Sequence, residues 1–181
     1  IIFGAGITAD SISLDVAPGD SLVLRVGNGG DSIQISGFGV NAAAEFHTIR
    51  EFEFADGTVL TDGELLARGF LISSPESGGT LQGTNFADRI QGSQVGDWLY
   101  GRGGNDVLLG GLGDDVLEGN EADDELDGGA GNDRLYGNEG SNVLRGGDGN
   151  DTLDSASVAD QLFGGAGDDA YHLRSLGQVI N

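Results

Sequence analysis

Residues 110–118 read GGLGDDVLE, residues 128–136 read GGAGNDRLY, and residues 146–154 read GGDGNDTLD. The three stretches begin eighteen residues apart and share one order: Gly at positions 1, 2 and 4, Asp at 6, Leu at 8. Extended in both directions, the same phase of nine runs without insertion over 83–172 as ten units. The others are GTNFADRIQ, GSQVGDWLY and GRGGNDVLL before the first quoted stretch, GNEADDELD and GNEGSNVLR between the quoted ones, and SASVADQLF and GGAGDDAYH after the last. Position 1 is Gly in nine of ten units, and position 6 is Asp in nine, with Asn142 the exception. Position 8 is Ile90, then Leu eight times, then Tyr171. Chance does not keep three columns in phase over ninety residues, so the chain is built from a repeat.

Positions 1 to 6 carry Gly, Asn and Asp, which suit a tight turn with left-handed backbone angles. Positions 7 to 9 are long enough for a short strand. With a period of two, position 8 points one way and positions 7 and 9 the other. The Leu column therefore faces inward. Nine residues bury too little to stand alone, so successive units must stack. A turn plus a strand makes half a coil, and eighteen residues make a full circuit. The expected architecture is two parallel sheets enclosing the Leu column, with a column of turns along each edge.

A Gly-rich turn exposes carbonyl oxygens, and Asp at position 6 sets a carboxylate beside them. Hard oxygen ligands at this density suit Ca²⁺, which takes ~6–8 of them at ~2.3–2.6 Å. Mg²⁺ demands stricter geometry, and a transition metal would want His or Cys, of which the repeats hold only His172. The competing reading is that each Asp only caps its own turn. That reading leaves unexplained why like charges are stacked at the ~4.8 Å spacing of neighbouring strands.

Composition agrees and narrows the field. The 181 residues include 35 Gly, 30 acidic and 8 basic side chains, with a formal net charge of −22. Every basic residue is Arg, and the chain has no Lys or Cys. Such a surface repels nucleic-acid phosphates and anionic lipid heads. Disulfide frameworks, thiolate zinc sites, Lys-dependent phosphate loops and Schiff-base chemistry are excluded by residue type. No apolar run approaches the ~18 residues of a membrane-spanning helix. The 38% of hydrophobic residues is too high for a typical solvated tail. The chain starts at Ile and shows no basic region followed by an apolar stretch, so a signal peptide is not expected and an excised fragment is.

The quoted units resemble the RTX nonapeptide, GGxGxDxUx with U apolar. GGLGDDVLE, GGAGNDRLY and GGDGNDTLD match it in full, and GGAGDDAYH matches with Tyr at U. The resemblance covers half of the chain. It implies an all-β fold, a right-handed parallel β-roll of nonapeptide repeats that holds Ca²⁺ between successive turns on one edge. It also implies export by a bacterial type I secretion system, hence a secreted, extracellular location for a protein of a Gram-negative bacterium. The stretches FGAGITADSISL, GDSLVLRVGNGGDSIQISGF and IREFEFADGTVLTDGEL resemble the haemolysin-type calcium-binding-related domain, a small strand-rich β domain. GDDAYHLRSLGQVIN resembles the closing strand of such a repeat block, and IIFGAGITADSISL resembles the segment immediately after a closing strand of that kind. One unit of a tandem array is therefore expected.

Read from the residues alone, 11–16, 21–26, 32–36, 49–54 and 58–60 are strands by alternation and β-branched content. Turn signals Pro18-Gly19-Asp20, Gly27-Asn28-Gly29-Gly30 and Asp56-Gly57 separate them. A short helix is expected over 62–68, with Asp62 as cap and Gly69 as stop. The organisation read is a β domain at 1–72, a connector or capping segment at 73–82, the roll at 83–172 and a strand or tail at 173–181.

Turns on the same edge lie eighteen residues apart. One edge carries Asp97, Asp115, Asp133, Asp151 and Asp169; the other carries Asp88, Asp106, Asp124, Asn142 and Asp160. On the first edge Gly110, Gly111 and Gly113, then Gly128, Gly129 and Gly131, then Gly146, Gly147 and Gly149, then Gly164, Gly165 and Gly167 form four well-formed turns. Calcium is expected in the gaps 115/133, 133/151 and 151/169; the gap 97/115 is weaker because Val95 stands at position 4. On the second edge Gly101, Gly103 and Gly104 make a good turn apart from Arg102, and calcium is expected at 88/106 and 106/124. Ala122 departs from Gly at position 4, Asn142 removes a carboxylate from 124/142, and 142/160 is expected empty because 155–160 has no Gly. About five to six ions result.

The repeat block carries 19 acidic and 4 basic residues. Without cations these carboxylates repel, and Gly-rich turns lose much backbone entropy on ordering. Metal binding is then linked to folding, with apo repeats expected to be largely disordered. No HExxH, GxSxG or Cys nucleophile occurs, so the chain is not expected to be an enzyme. His47 and His172 read as structural or solvated, and GAGITA at 4–9 lacks the helix and distal acid of a dinucleotide loop. Trp98, Tyr100 and Tyr136 fall on one outer sheet face, Val107 and Leu109 on the other. They read either as docking surface for 1–82 or as a platform for sugar or partner. The reading is a calcium-dependent structural and folding element. Its partners are calcium and neighbouring domains of the same polypeptide, without nucleic acid. The alternatives are a carbohydrate- or surface-binding module of an adhesin, and an accessory segment of an exoenzyme with its catalytic domain elsewhere.

Overall fold

The computed structural model describes residues 1–17, 21–26, 31–35, 49, 51–74 and 76–174. The chain divides into two compact units, 1–71 and 72–181. In the first, strands β1 (Ile12–Ala17), β2 (Ser21–Val26) and β3 (Asp31–Ile35) form an antiparallel sheet in that order. Strands β4 (Glu51–Glu53) and β5 (Val59–Thr61) form a hairpin, which leads into helix α1 (Asp62–Leu66). Alternation sorts the side chains as expected: Leu14, Leu22, Leu24 and Phe52 are buried, and so are Phe3, Phe54, Leu65, Leu66 and Phe70. Phe3 stacks on Phe54 with ring centroids 4.8 Å apart.

The helix start differs from the expectation. Thr61, not Asp62, is the cap: its hydroxyl accepts from the Glu64 N–H at 3.1 Å, and the Glu64 carboxylate accepts from the Thr61 N–H at 2.9 Å. This reciprocal pair satisfies two donors, which a lone Asp at the next position cannot do. The Asp56-Gly57 turn forms as read, with Gly57 at φ +87 and the Thr58 N–H on Asp56 Oδ1. The turn signals at 18–20 and 27–30, together with His47, lie outside the described residues.

The second unit is a parallel β-roll. One six-stranded sheet holds β6 (Leu71–Ser73), β8 (Arg89–Gln91), β10 (Val107–Leu112), β12 (Glu125–Ala130), β14 (Val143–Asp148) and β16 (Gln161–Ala166). The other holds β7 (Thr80–Gln82), β9 (Trp98–Arg102), β11 (Val116–Asn120), β13 (Arg134–Asn138), β15 (Thr152–Ser155) and β17 (Ala170–Leu173). The register is eighteen throughout: Leu108 faces Leu126, Leu126 faces Leu144, and Leu117 faces Leu135. Strands β6 and β7 precede the first nonapeptide: β7 lies within the segment read as a connector, and β6 straddles the 72/73 boundary read between it and the β domain.

Between the sheets Ile90, Leu99, Leu108, Leu117, Leu126, Leu135, Leu144 and Leu153 are fully buried, with Ile72, Leu81 and Leu162 packed against them. Each fully buried Leu contributes about 1.5–3 kcal/mol of transfer free energy. At the last coil Tyr171 replaces Leu and is half exposed, its hydroxyl accepting from the Gly164 N–H at 2.9 Å. Trp98, Tyr100 and Tyr136 lie on the outer face of one sheet, and Val107 and Leu109 on that of the other, at positions flanking the buried column. Trp98 is 53% exposed, with its ring centroid 6.5 Å from that of Tyr100.

Candidate metal centre

The turns hold together through two side-chain ladders. In the first, the main-chain N–H of each position-6 residue donates to Oδ1 of the position-6 residue eighteen further on. Asp88 donates to Asp106 at 2.7 Å, Asp97 to Asp115 at 2.7 Å, Asp106 to Asp124 at 2.8 Å, and Asp115 to Asp133 at 2.8 Å. Asp133 donates to Asp151 at 2.8 Å and Asp151 to Asp169 at 3.0 Å. Asn142 keeps its place in the ladder: its Oδ1 accepts from Asp124, and its own N–H donates to Asp160.

The second ladder runs the other way and uses position 5. Asn132 N–H donates to Asp114 Oδ1 at 2.7 Å, Asn150 N–H to Asn132 Oδ1 at 3.0 Å, and Asp168 N–H to Asn150 Oδ1 at 2.7 Å. On the other edge Asp123 donates to Asn105 and Ser141 to Asp123. Sequence reasoning missed this ladder. Its signal was the run of Asn or Asp at position 5 in Asn105, Asp114, Asp123, Asn132, Asn150 and Asp168. Asn150-Asp151-Thr152 has the form of an N-glycosylation sequon, but the Asn150 side chain is already used between turns.

The glycines answer to these close approaches. A Cβ on Gly110 would overlap both Asp115 Oδ2 and the Gly128 carbonyl oxygen, so a carboxylate oxygen and a carbonyl oxygen of the next turn converge there. A Cβ on Gly131, which sits at φ +139, would overlap the Gly113 carbonyl oxygen. The second edge is less strict. Arg102, Asn120 and Asn138 at position 2 and Ala122 at position 4 adopt positive φ angles of 79, 78, 63 and 80. Ala122 therefore takes the left-handed conformation although it is not Gly. The turn at 155–160 has no positive φ among its described residues, like the turns at 83–88 and 92–97, so these three follow a different path from the turns that have one.

The Oδ2 atoms carry the chemistry. Those of Asp106, Asp115, Asp124, Asp133 and Asp151 are buried and have no hydrogen-bond partner. An orphaned carboxylate oxygen in a protein interior costs several kcal/mol unless a charge compensates it. Burial, with the neighbouring carboxylates adding to it, pushes Asp106 up to about 8 and Asp115 up to about 7. Burial also raises Asp124 to about 7, Asp133 to about 6, and Asp151 above its usual range. Asp97 goes the other way: burial raises it, but hydrogen bonds from Ser74, Ser93 and Gly79 outweigh burial and hold it below the ordinary value.

The donor set is carboxylate and carbonyl oxygen, in pairs of turns. Among the described residues no group of three or more His, Cys, Asp or Glu side chains is placed to hold a metal ion. Side chains alone therefore do not build a centre, and turn carbonyls must supply the remaining ligands. All-oxygen ligation with few charges fits a hard, flexible cation such as Ca²⁺. The structure brings each predicted Asp to the turn edge assigned to it: Asp97, Asp115, Asp133, Asp151 and Asp169 on one, Asp88, Asp106 and Asp124 on the other.

The comparisons point the same way. The family described as RTX calcium-binding nonapeptide repeat (4 copies) matches residues 82–117, 118–153 and 159–173. The Haemolysin-type calcium binding protein related domain matches residues 22–63. The repeat match breaks at 154–158, where the Gly-free turn begins. No curated protein and no solved structure matches the chain. With its register of eighteen, its stacked Asp column and these matches, the chain belongs to the RTX haemolysin-type calcium-binding repeat proteins, with a haemolysin-type calcium-binding-related domain ahead of the roll.

Proposed function

We propose that this chain is a calcium-dependent folding and structural module of a secreted bacterial protein, exported unfolded by a type I system and folded outside the cell. The observation that carries the reading is the set of five buried Oδ2 atoms without partners. At neutral pH these aspartates must either hold a proton or lie beside a cation. Bound Ca²⁺ supplies two positive charges and room for about six to eight oxygen ligands. The Oδ2 atoms and turn carbonyls bind it, while the Oδ1 ladder holds adjacent turns in register. Binding energy is then folding energy. Low cytosolic calcium leaves the segment unfolded for export, and extracellular calcium stiffens the roll and any domain attached to it. The role is structural rather than catalytic.

A groove favours a second reading, a carbohydrate- or surface-binding module. It has a volume of about 520 Å³ and is lined by Asn85, Tyr100, Asn120, Glu121, Asn138 and Glu139, among others. An aromatic ring beside amides and carboxylates suits hydroxyl-rich ligands.

The deciding experiment for the first reading is far-UV circular dichroism of chelator-treated protein titrated with calcium, with magnesium as control. A cooperative gain of β signal with calcium alone is expected. A fully folded roll in chelator at neutral pH would remove the calcium switch.

A further inference from the structure

The position-6 aspartates do not share one environment. Asp97 is saturated: its Oδ2 accepts from the Ser93 N–H at 2.7 Å and the Ser93 hydroxyl at 2.8 Å. Its Oδ1 accepts from the Ser74 hydroxyl at 2.8 Å and the Gly79 N–H at 2.6 Å. Asp88 Oδ2 accepts from the Thr84 N–H at 2.5 Å and the Thr84 hydroxyl at 2.9 Å. Asp160 Oδ2 accepts from the Ser155 hydroxyl at 2.6 Å and the Ser157 N–H at 3.2 Å. These three lie in the first, second and ninth units. In the units between them, Oδ2 of Asp106, Asp115, Asp124, Asp133 and Asp151 has no partner.

The difference tracks the residue at the start of each turn. Thr84 and Ser93 stand at position 2, and Ser155 at position 1, where the orphaned units have Gly, Asn or Arg. A hydroxyl there donates into the space that the orphaned oxygens leave open. A carboxylate that already accepts two to four hydrogen bonds is compensated as an anion, and a cation would have to displace those donors.

We propose that a hydroxyl takes the place of the cation at Thr84, Ser93 and Ser155, so that Asp88, Asp97 and Asp160 are closed without metal and the ion-holding aspartates are Asp106, Asp115, Asp124, Asp133 and Asp151. This rests on the calcium reading above and sharpens it. The roll then has metal-free turns near both ends and a metal-dependent middle. It departs from the sequence-based expectation for Asp88, Asp97 and Asp169, which the repeat pattern alone places among the ligands; Asp169 Oδ2 is not among the buried unpartnered oxygens.

The test is calcium counting by native mass spectrometry on the full chain, with folding in saturating calcium confirmed by circular dichroism. Asp97→Asn and Asp88→Asn are expected to keep the wild-type count, and Ser93→Ala to keep it or gain an ion. Asp115→Asn and Asp133→Asn are each expected to lose at least one ion. Loss of an ion from Asp97→Asn or Asp88→Asn, in a chain whose wild type binds calcium, overturns this inference and leaves the calcium reading standing. A wild type that takes up no calcium overturns both. Should Asp97→Asn fail to fold, Ser93→Ala decides: it removes one hydroxyl and leaves the carboxylate, so a lost ion in that variant is equally fatal, whereas a gained ion is a cation entering where the hydroxyl stood and supports the inference.

Discussion

The main-chain N–H of Asp115 donates to Oδ1 of Asp133, eighteen residues on, at 2.8 Å, while Oδ2 of each aspartate is buried without a partner. One carboxylate thus has two tasks. One oxygen ties neighbouring turns, and the other demands compensation.

Separating those tasks is possible at Asp133. An amide there keeps the Oδ1 acceptor, as Asn142 does naturally by accepting from the Asp124 N–H at 2.8 Å. Asp133→Asn is therefore expected to make the calcium-free roll more stable, by removing a buried charge, and to weaken calcium binding at least tenfold, about 1.4 kcal/mol. Isothermal titration calorimetry and unfolding curves in chelator measure the two effects. Destabilisation in both states would contradict the division of labour.

Acid should substitute for calcium. The folded-state pKa values of Asp106, Asp115, Asp124 and Asp133, at about 8, 7, 7 and 6, lie above the unfolded value of about 4. Their protonated forms stabilise the fold fully below about pH 4, and that stability is lost as pH rises through 6 to 8. Chelator-treated protein is thus expected to gain β signal as pH falls from 8.5 to 5, and calcium affinity to rise with pH across the same window. Loss of β signal on acidification in chelator would refute the assignment.

The close approach at Gly131 is predicted to be intolerant. Gly131→Ala forces a side chain to φ +139 and drives its Cβ into the Gly113 carbonyl oxygen, whereas a Cβ on Gly79 meets nothing within 4 Å. Gly131→Ala should lose more than about 2 kcal/mol, and Gly79→Ala should stay within about 0.5 kcal/mol of wild type. Thermal unfolding in saturating calcium compares them directly.

Leu117 faces Leu99 and Leu135 inside the roll and is fully buried. Leu117→Ala should cost about 2–5 kcal/mol in calcium. A loss under about 1 kcal/mol in denaturant unfolding would mean that the Leu column is not the core of the roll.

The roll was legible in the residues alone. A period of nine with Leu at position 8 admits few arrangements, because a strand alternates every two residues and nine residues cannot bury a core alone. Register, sheet number, the two edges and the residues on each came from counting by nine and eighteen. The helix at 62–66 was also visible, although its cap was displaced by one residue, since a capping box is decided by the reciprocal bond between Thr61 and Glu64. Which carboxylate oxygens are compensated emerges only in three dimensions. Asp97 and Asp115 are the same letter at the same repeat position. One meets Ser74, Gly79 and Ser93, and the other has a buried oxygen with no donor. Ser74 and Gly79 lie outside the nonapeptides, and the coil that brings them to Asp97 is a property of stacking, which no column of the repeat records. The position-5 ladder is of the same kind: its residues are plain in the sequence, but their role depends on an N–H eighteen residues away reaching bonding distance only when the coils stack.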